Sequence, residues 1–130
     1  MRIATKPLAG LLLAALPIAP LAAAPLICSL STIRSCDELT GCETVLHEEY
    51  NVPRFWKVDL EKRTITATRP DGTEASTKIE SLSGRLTRVS IQGVDNGRAW
   101  SATIGDDGSL SLVVSGEGFG FIGFGACTNP

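Results

Sequence analysis

A chain of 130 residues in which only 5% are aromatic, with a formal net charge of −2, has room for a single domain with a modest core. Losing Arg2 and Lys6 with an N-terminal leader would take that charge of −2 to about −4. Such a balance lacks the basic surface that non-specific binding to nucleic acid or an anionic membrane requires.

Residues 1–23 have the three parts of a secretory signal. Arg2 and Lys6 form a basic start, Leu8 to Leu16 an apolar centre, and Ala22 and Ala23 a small-residue end. Pro17, Pro20 and Pro25 break the apolar run before the roughly 20 residues that a spanning helix needs. Cleavage is expected after Ala23, since Pro25 directly after the cut would suit a protease poorly. Pro25, Leu26 and Ile27 before Cys28 do not have the spacing of a lipidation site. The expected product is one disulfide-bonded domain, residues 24–130, periplasmic or secreted, with no membrane anchor after leader removal.

An exported chain with four cysteines is expected to hold two disulfides. Cys36 and Cys42 enclose a short polar stretch that includes Gly41, so a local loop is the economical pairing. Cys28 then pairs with Cys127 and closes nearly the whole domain. Zinc sites favour closer cysteine pairs, and His47 is the only histidine, so no metal is expected. His47-Glu48-Glu49-Tyr50 lacks the second histidine of a zinc-protease helix, since Asn51 stands at that position. The segment from Thr44 to Asn51 is expected to be a solvated loop or one helical turn, limited by Pro53.

Beyond Pro53 the hydrophobic period becomes two, as in strands with one buried face. Trp56, Val58 and Leu60 alternate with charged residues, and Ile65 and Ala67 with threonines, which predicts a hairpin. Arg69-Pro70-Asp71-Gly72 is a turn. A strand from Glu74 to Leu82 follows, broken by Ser83-Gly84. Leu86 to Gly93 resumes the alternation, Asp95-Asn96-Gly97 predicts a type I′ hairpin turn, and Arg98 to Ile104 returns with Trp100, Ala102 and Ile104 on one face. After Gly105-Asp106-Asp107-Gly108, Leu110, Leu112 and Val114 face inward. Neither acidic turn has the roughly six to eight ordered oxygens of a calcium loop.

The last stretch, Ser115 to Cys127, holds five of the thirteen glycines and three of the four phenylalanines. Phe119 and Phe121 differ in parity from Ile122, Phe124 and Ala126, so a strand keeping its phase cannot bury both sets. A glycine bulge at Gly120 or Gly123 is the expected resolution.

With a first strand around Leu26 to Ile33, these elements predict an all-β fold. It would be a single antiparallel meander of about eight strands closing as a small up-and-down barrel, with a two-sheet β-sandwich as the alternative. Phe55-Trp56-Lys57-Val58-Asp59-Leu60, the stretch from Gly93 to Ser101, and Phe124-Gly125-Ala126-Cys127 together resemble a class of small exported proteobacterial proteins with no assigned chemistry. That resemblance implies export and an all-β fold and adds no catalytic residue.

No G-x-S-x-G elbow, nucleophile–base pair or phosphate loop occurs, so no catalytic residue and no cofactor are expected. A hydrolase would need at least two of His47, Glu48, Glu49, Asp95, Asp106 and Asp107 to converge. The leading expectation is a monomeric, non-enzymatic β-protein whose partner is a small apolar ligand or another protein. Trp56, Trp100, Phe119, Phe121 and Phe124 are the candidate ligand-lining residues.

Overall fold

The computed structural model describes Ala15, Pro17, residues 24–85 and residues 88–128, so the expected leader and Leu86 lie largely outside the described residues. Ten antiparallel strands form one curled sheet. In chain order they are β1 (Leu26–Asp37), β2 (Gly41–Val45), β3 (Phe55–Asp59), β4 (Thr64–Thr68), β5 (Glu74–Lys78), β6 (Ser81–Arg85), β7 (Arg88–Asp95), β8 (Arg98–Ile104), β9 (Ser109–Ser115) and β10 (Phe119–Thr128). Their order in the sheet is β5-β4-β3-β1-β10-β9-β8-β7-β6, with β2 also on β1.

Two pairs of these strands act as single staves. β3 and β2 share one edge of β1, the first opposite Leu26 to Ser29 and the second opposite Ile33 to Asp37. β5 and β6 are one extended path that changes partner, from β4 to β7, across Ile79 and Glu80. At the change, the Ile79 N–H donates to the Arg63 carbonyl and the Glu80 N–H to the Gln92 carbonyl, each at 2.9 Å. Merging these two pairs leaves eight staves from ten strands, alternating in direction around a barrel-like sheet. The inward side chains also change parity here: Ala75, Thr77 and Ile79 point in before the change, and Leu82 after it. The break therefore falls at Ile79–Glu80; Ser83 and Gly84 lie within β6.

β1 and β10 join the two ends of the meander, paired from Ile27↔Thr128 to Asp37↔Phe119. Cys28 is bonded to Cys127 and Cys36 to Cys42, and each pair stands directly opposed on neighbouring strands. The second bond thus staples the β1–β2 hairpin, and Gly41–Val45 is a strand where a loop and helical turn are expected from the sequence. Asp37 ends β1 by accepting the N–H groups of Leu39 and Thr40, both at 2.8 Å.

β10 keeps one phase throughout, contrary to the expected glycine bulge. Phe119, Phe121, Gly123 and Cys127 face the interior, while Phe124 and Ala126 face out. The irregularity lies in its partner, where the register slips between Leu30 and Thr32 of β1. Gly125 accommodates the slip: a Cβ there would stand 1.7 Å from the Ser29 carbonyl oxygen. At Asn96-Gly97 the positive φ angles of 50° and 75° are those of the I′ turn that the sequence predicts.

The two disulfides differ in the loop they close, with sequence separations of 99 and 6. Replacing Cys28 and Cys127 by alanine is expected to lower unfolding free energy by about 4–5 kcal/mol, against roughly 2 kcal/mol for Cys36 and Cys42. Guanidinium titration of the two double variants measures the difference, and equal losses would contradict the closing role of the longer bridge. Gly125→Ala should cost at least about 3 kcal/mol because the obstruction is backbone. Gly97→Ala, which meets nothing within 4 Å, should cost about 1 kcal/mol from its left-handed φ alone. Thermal denaturation of this pair of variants checks that order.

Candidate functional site

Alternation along each strand aims one set of side chains at the barrel axis. Cys28, Val58, Ile65, Ile91, Ile104 and Leu110 are buried there with Ile79. At the end where β1 begins and β10 finishes, the β8–β9 turn folds onto β10, with the Cys127 N–H donating to the Gly108 carbonyl at 2.7 Å. This end is the floor. The opposite end, the rim, carries the turns before β2, β5, β8 and β10.

Between floor and rim lies a cavity of about 160 Å³. Its wall is apolar and includes Leu30, Trp56, Trp100, Ala102, Leu112 and Val114; its polar residues, Thr77, Asp95, Asn96 and Arg98, stand toward the rim. It shares Trp56, Thr77, Asp95 and Arg98 with a wider cleft of about 720 Å³ whose walls add Asp37, Tyr50, Arg69, Phe119 and Phe121. The narrow apolar cavity thus opens into a broad polar and aromatic mouth.

The connection from Leu46 to Arg54 builds one side of that mouth. Asn51 is held at a positive φ and bonds to Asp71 in the β4–β5 turn, its Nδ2 donating to the carboxylate at 2.8 Å. Tyr50 meets Phe121 edge-on with ring centres 5.1 Å apart, and Phe121 meets Phe119 in the same way at 5.7 Å. The Arg98 guanidinium lies 5.1 Å from the centre of the Phe119 ring. Arg69 is engaged locally, donating to the Glu74 carbonyl at 2.7 Å.

Of the five aromatics singled out from the sequence, Trp56 and Trp100 therefore stand on the cavity wall, and Phe119 and Phe121 on the mouth. Phe124 is a correction. It is 48% exposed on the outer face, because β10 does not change phase. Trp100 is only 8% exposed and lies over Gly93, where a Cβ would come within 2.6 Å of its Cζ2. The indole nitrogens of both tryptophans are buried without an acceptor among the described residues.

His47 is a second correction. It is 4% exposed, buried rather than solvated. Its Nδ1 lies 3.1 Å from the Val52 carbonyl while the Val52 N–H donates to the His47 carbonyl, so the ring is tied into the β2–β3 connection. The acidic residues considered for hydrolysis are spread out. Glu48 pairs with Arg54 at 2.9 Å, Glu49 accepts the Leu46 N–H, and Asp95 and the Asp106–Asp107 turn stand at opposite ends of β8. Among the described residues no three His, Cys, Asp or Glu side chains group as a metal site would require.

The mouth residues contributed by the 46–54 connection, Tyr50 and Asn51, are not marked by any pattern in the sequence. The nearest signal is Pro53, which ends the connection and is itself buried. Arg98 was legible only as the residue after the Asn-Gly turn. No known family matches the chain, and no curated protein or solved structure shows significant similarity to it.

The turn aspartates share one device. Hydrogen bonds from the Thr40 hydroxyl and backbone to Asp37, from Thr73 to Asp71 and from Ser109 to Asp107 hold all three carboxyls below their ordinary range. A depressed folded pKa contributes stability that is fully present above about pH 4 and is lost as pH falls through the folded value. Denaturant midpoints are therefore expected to fall as the pH drops below about 4. Replacing Asp37, Asp71 and Asp107 by asparagine should flatten that fall, and an unchanged pH profile would show that the turns do not carry it.

Proposed function

We propose that the protein is a non-enzymatic β-protein of the periplasm or the cell exterior that holds a small apolar ligand in its barrel interior. The observation that carries this reading is the apolar cavity of about 160 Å³ opening into a wider mouth. An interior apolar void of about 150 Å³ is large enough to take benzene. The two disulfides, together with a described region in which no helix is long and apolar enough to cross a membrane, are consistent with an oxidising compartment. The leader-like residues 1–23 support export by sequence alone.

A second reading, an interaction module of the cell envelope, rests on Ile27, Phe55 and Phe124, which stand exposed on the outer face. One experiment separates the two. Toluene is expected to raise the unfolding free energy of the oxidised protein by about 1.4 kcal/mol at ten times its dissociation constant. Ala102→Leu or Leu112→Phe, which place extra atoms in the cavity, should abolish that shift with the circular dichroism unchanged. Phe55→Ser and Phe124→Ser should leave it intact. Stabilisation that survives both filling variants and disappears with the outer-face variants would favour the second reading.

A further inference from the structure

Among the described residues three strands pair along one edge only: β2, β5 and β6. Of these, β5 alone borders the hollow interior. Thr77 lines the narrow cavity, and Ala75, Ser76 and Thr77 line the wider mouth, whereas no residue of β2 or β6 lines either. Burial along β5 reflects the open edge. Ile65 and Ala67 on β4 are buried, but their partners Thr77 and Ala75, on the same inward face, are only partly covered.

The direction of the main-chain groups on that edge follows from the ladder. The Ile79 N–H donates to the Arg63 carbonyl and the Arg69 N–H to the Thr73 carbonyl, so the odd-numbered residues of β5 turn their backbone toward β4. Antiparallel alternation then turns the Glu74 and Ser76 N–H groups and the Ser76 carbonyl the other way, out of the sheet edge. The Glu74 carbonyl already accepts from Arg69 at 2.7 Å. β7 meets this path lower down, at the Glu80 N–H to Gln92 carbonyl bond and where the Lys78 carbonyl lies against Gly93. Nearer the rim, Asp95 and Asn96 form the far lip of the cavity opposite Thr77. An unpaired edge beside an apolar hole matches one kind of occupant. An extended peptide supplies backbone donors and acceptors to the edge, and its alternating side chains send one residue inward. A cavity of about 160 Å³ has room for one branched or aromatic side chain.

Building on the ligand-cavity reading above, we propose that the apolar group held in the cavity is a leucine or phenylalanine side chain of an extended peptide segment from a partner protein. The segment adds as a strand to the free edge of β5 at residues 74–77. Ser76 exchanges a pair of backbone hydrogen bonds with it, and the inward side chain passes between Thr77 and Asp95 toward Ala102.

The peptide acetyl-Lys-Thr-Thr-Leu-Thr-Thr-Lys-amide and its phenylalanine analogue test this. Binding to the oxidised protein is measured by calorimetry, and backbone amide exchange by NMR. At least one of the two is expected to bind, to slow exchange of the Ser76 amide and to compete with toluene. Changing the central residue to asparagine, or N-methylating the two residues that flank it, should each weaken binding roughly tenfold. Ser76→Pro removes the edge N–H without touching the β4 ladder and should do the same, leaving stabilisation by toluene intact. The peptide comparisons are read on the unsubstituted protein, so a variant that fails to fold does not remove the test. If toluene binds and neither peptide does, or if the asparagine or N-methylated peptides bind as well as their parents, the strand proposal is overturned while the cavity reading stands. If neither toluene nor peptide binds, both are overturned.

Discussion

β1 must satisfy three partners at once, and the rest of the sheet depends on how it does so. One edge runs along β10, and the other is divided between β3 and β2. The division leaves a gap opposite Ser31, where the strand slips register and the Leu30 N–H turns to the Arg54 carbonyl at 2.9 Å. Glycine at position 125 gives the slipped backbone its room, and Gly123 receives the Leu30 side chain, whose Cδ2 lies 2.9 Å from where a Cβ would be. Only with this fit can the first and last strands remain in register along the barrel. The pairing is also the most non-local in the chain, so folding must close a long loop before most of its contacts form.

The same geometry determines where the interior is full and where it is not. Two of the inward-facing small residues are already occupied, Gly93 by the Trp100 ring and Gly123 by Leu30. Ala102 is different: it lines the cavity between Trp100 and Ile104 on β8. Above it the staves give way to the 46–54 connection, whose tyrosine and asparagine are fixed by an aromatic edge contact and a side-chain hydrogen bond. The small residue thus leaves room on the cavity wall, while the interrupted stave lends Tyr50, Asn51 and Pro53 to the mouth.

Much of the fold was legible in the sequence because it rests on period-two alternation and on turn chemistry. Arg98 to Ile104 and the Asn96-Gly97 turn are cases where local preference and tertiary packing agree, and the all-β barrel-like architecture follows from the spacing of such turns. The errors arise where packing decides. Gly41–Val45 is mostly exposed and carries no alternation, and it is a strand because the hairpin bond holds it against β1. The partner change at Ile79 depends on β4 and β7 being neighbours of one path, which no local signal announces. Phe119 and Phe121 were rightly set apart from Ile122 and Phe124 by parity, but only the β1–β10 register shows that the slip belongs to the other strand. For the site, the tryptophans stood out by type and parity, whereas Tyr50 and Asn51 reach the mouth through a connection whose path the sequence does not encode in any periodic way.

The position of the chain ends adds a last consequence. Ile27 and Thr128 are register partners, so both ends of the described domain leave the barrel side by side at the floor, a full strand length from the mouth. Any cargo, tether or surface attached at either end lies behind the opening. The domain can therefore be anchored or fused at its base with the mouth left clear of the attachment.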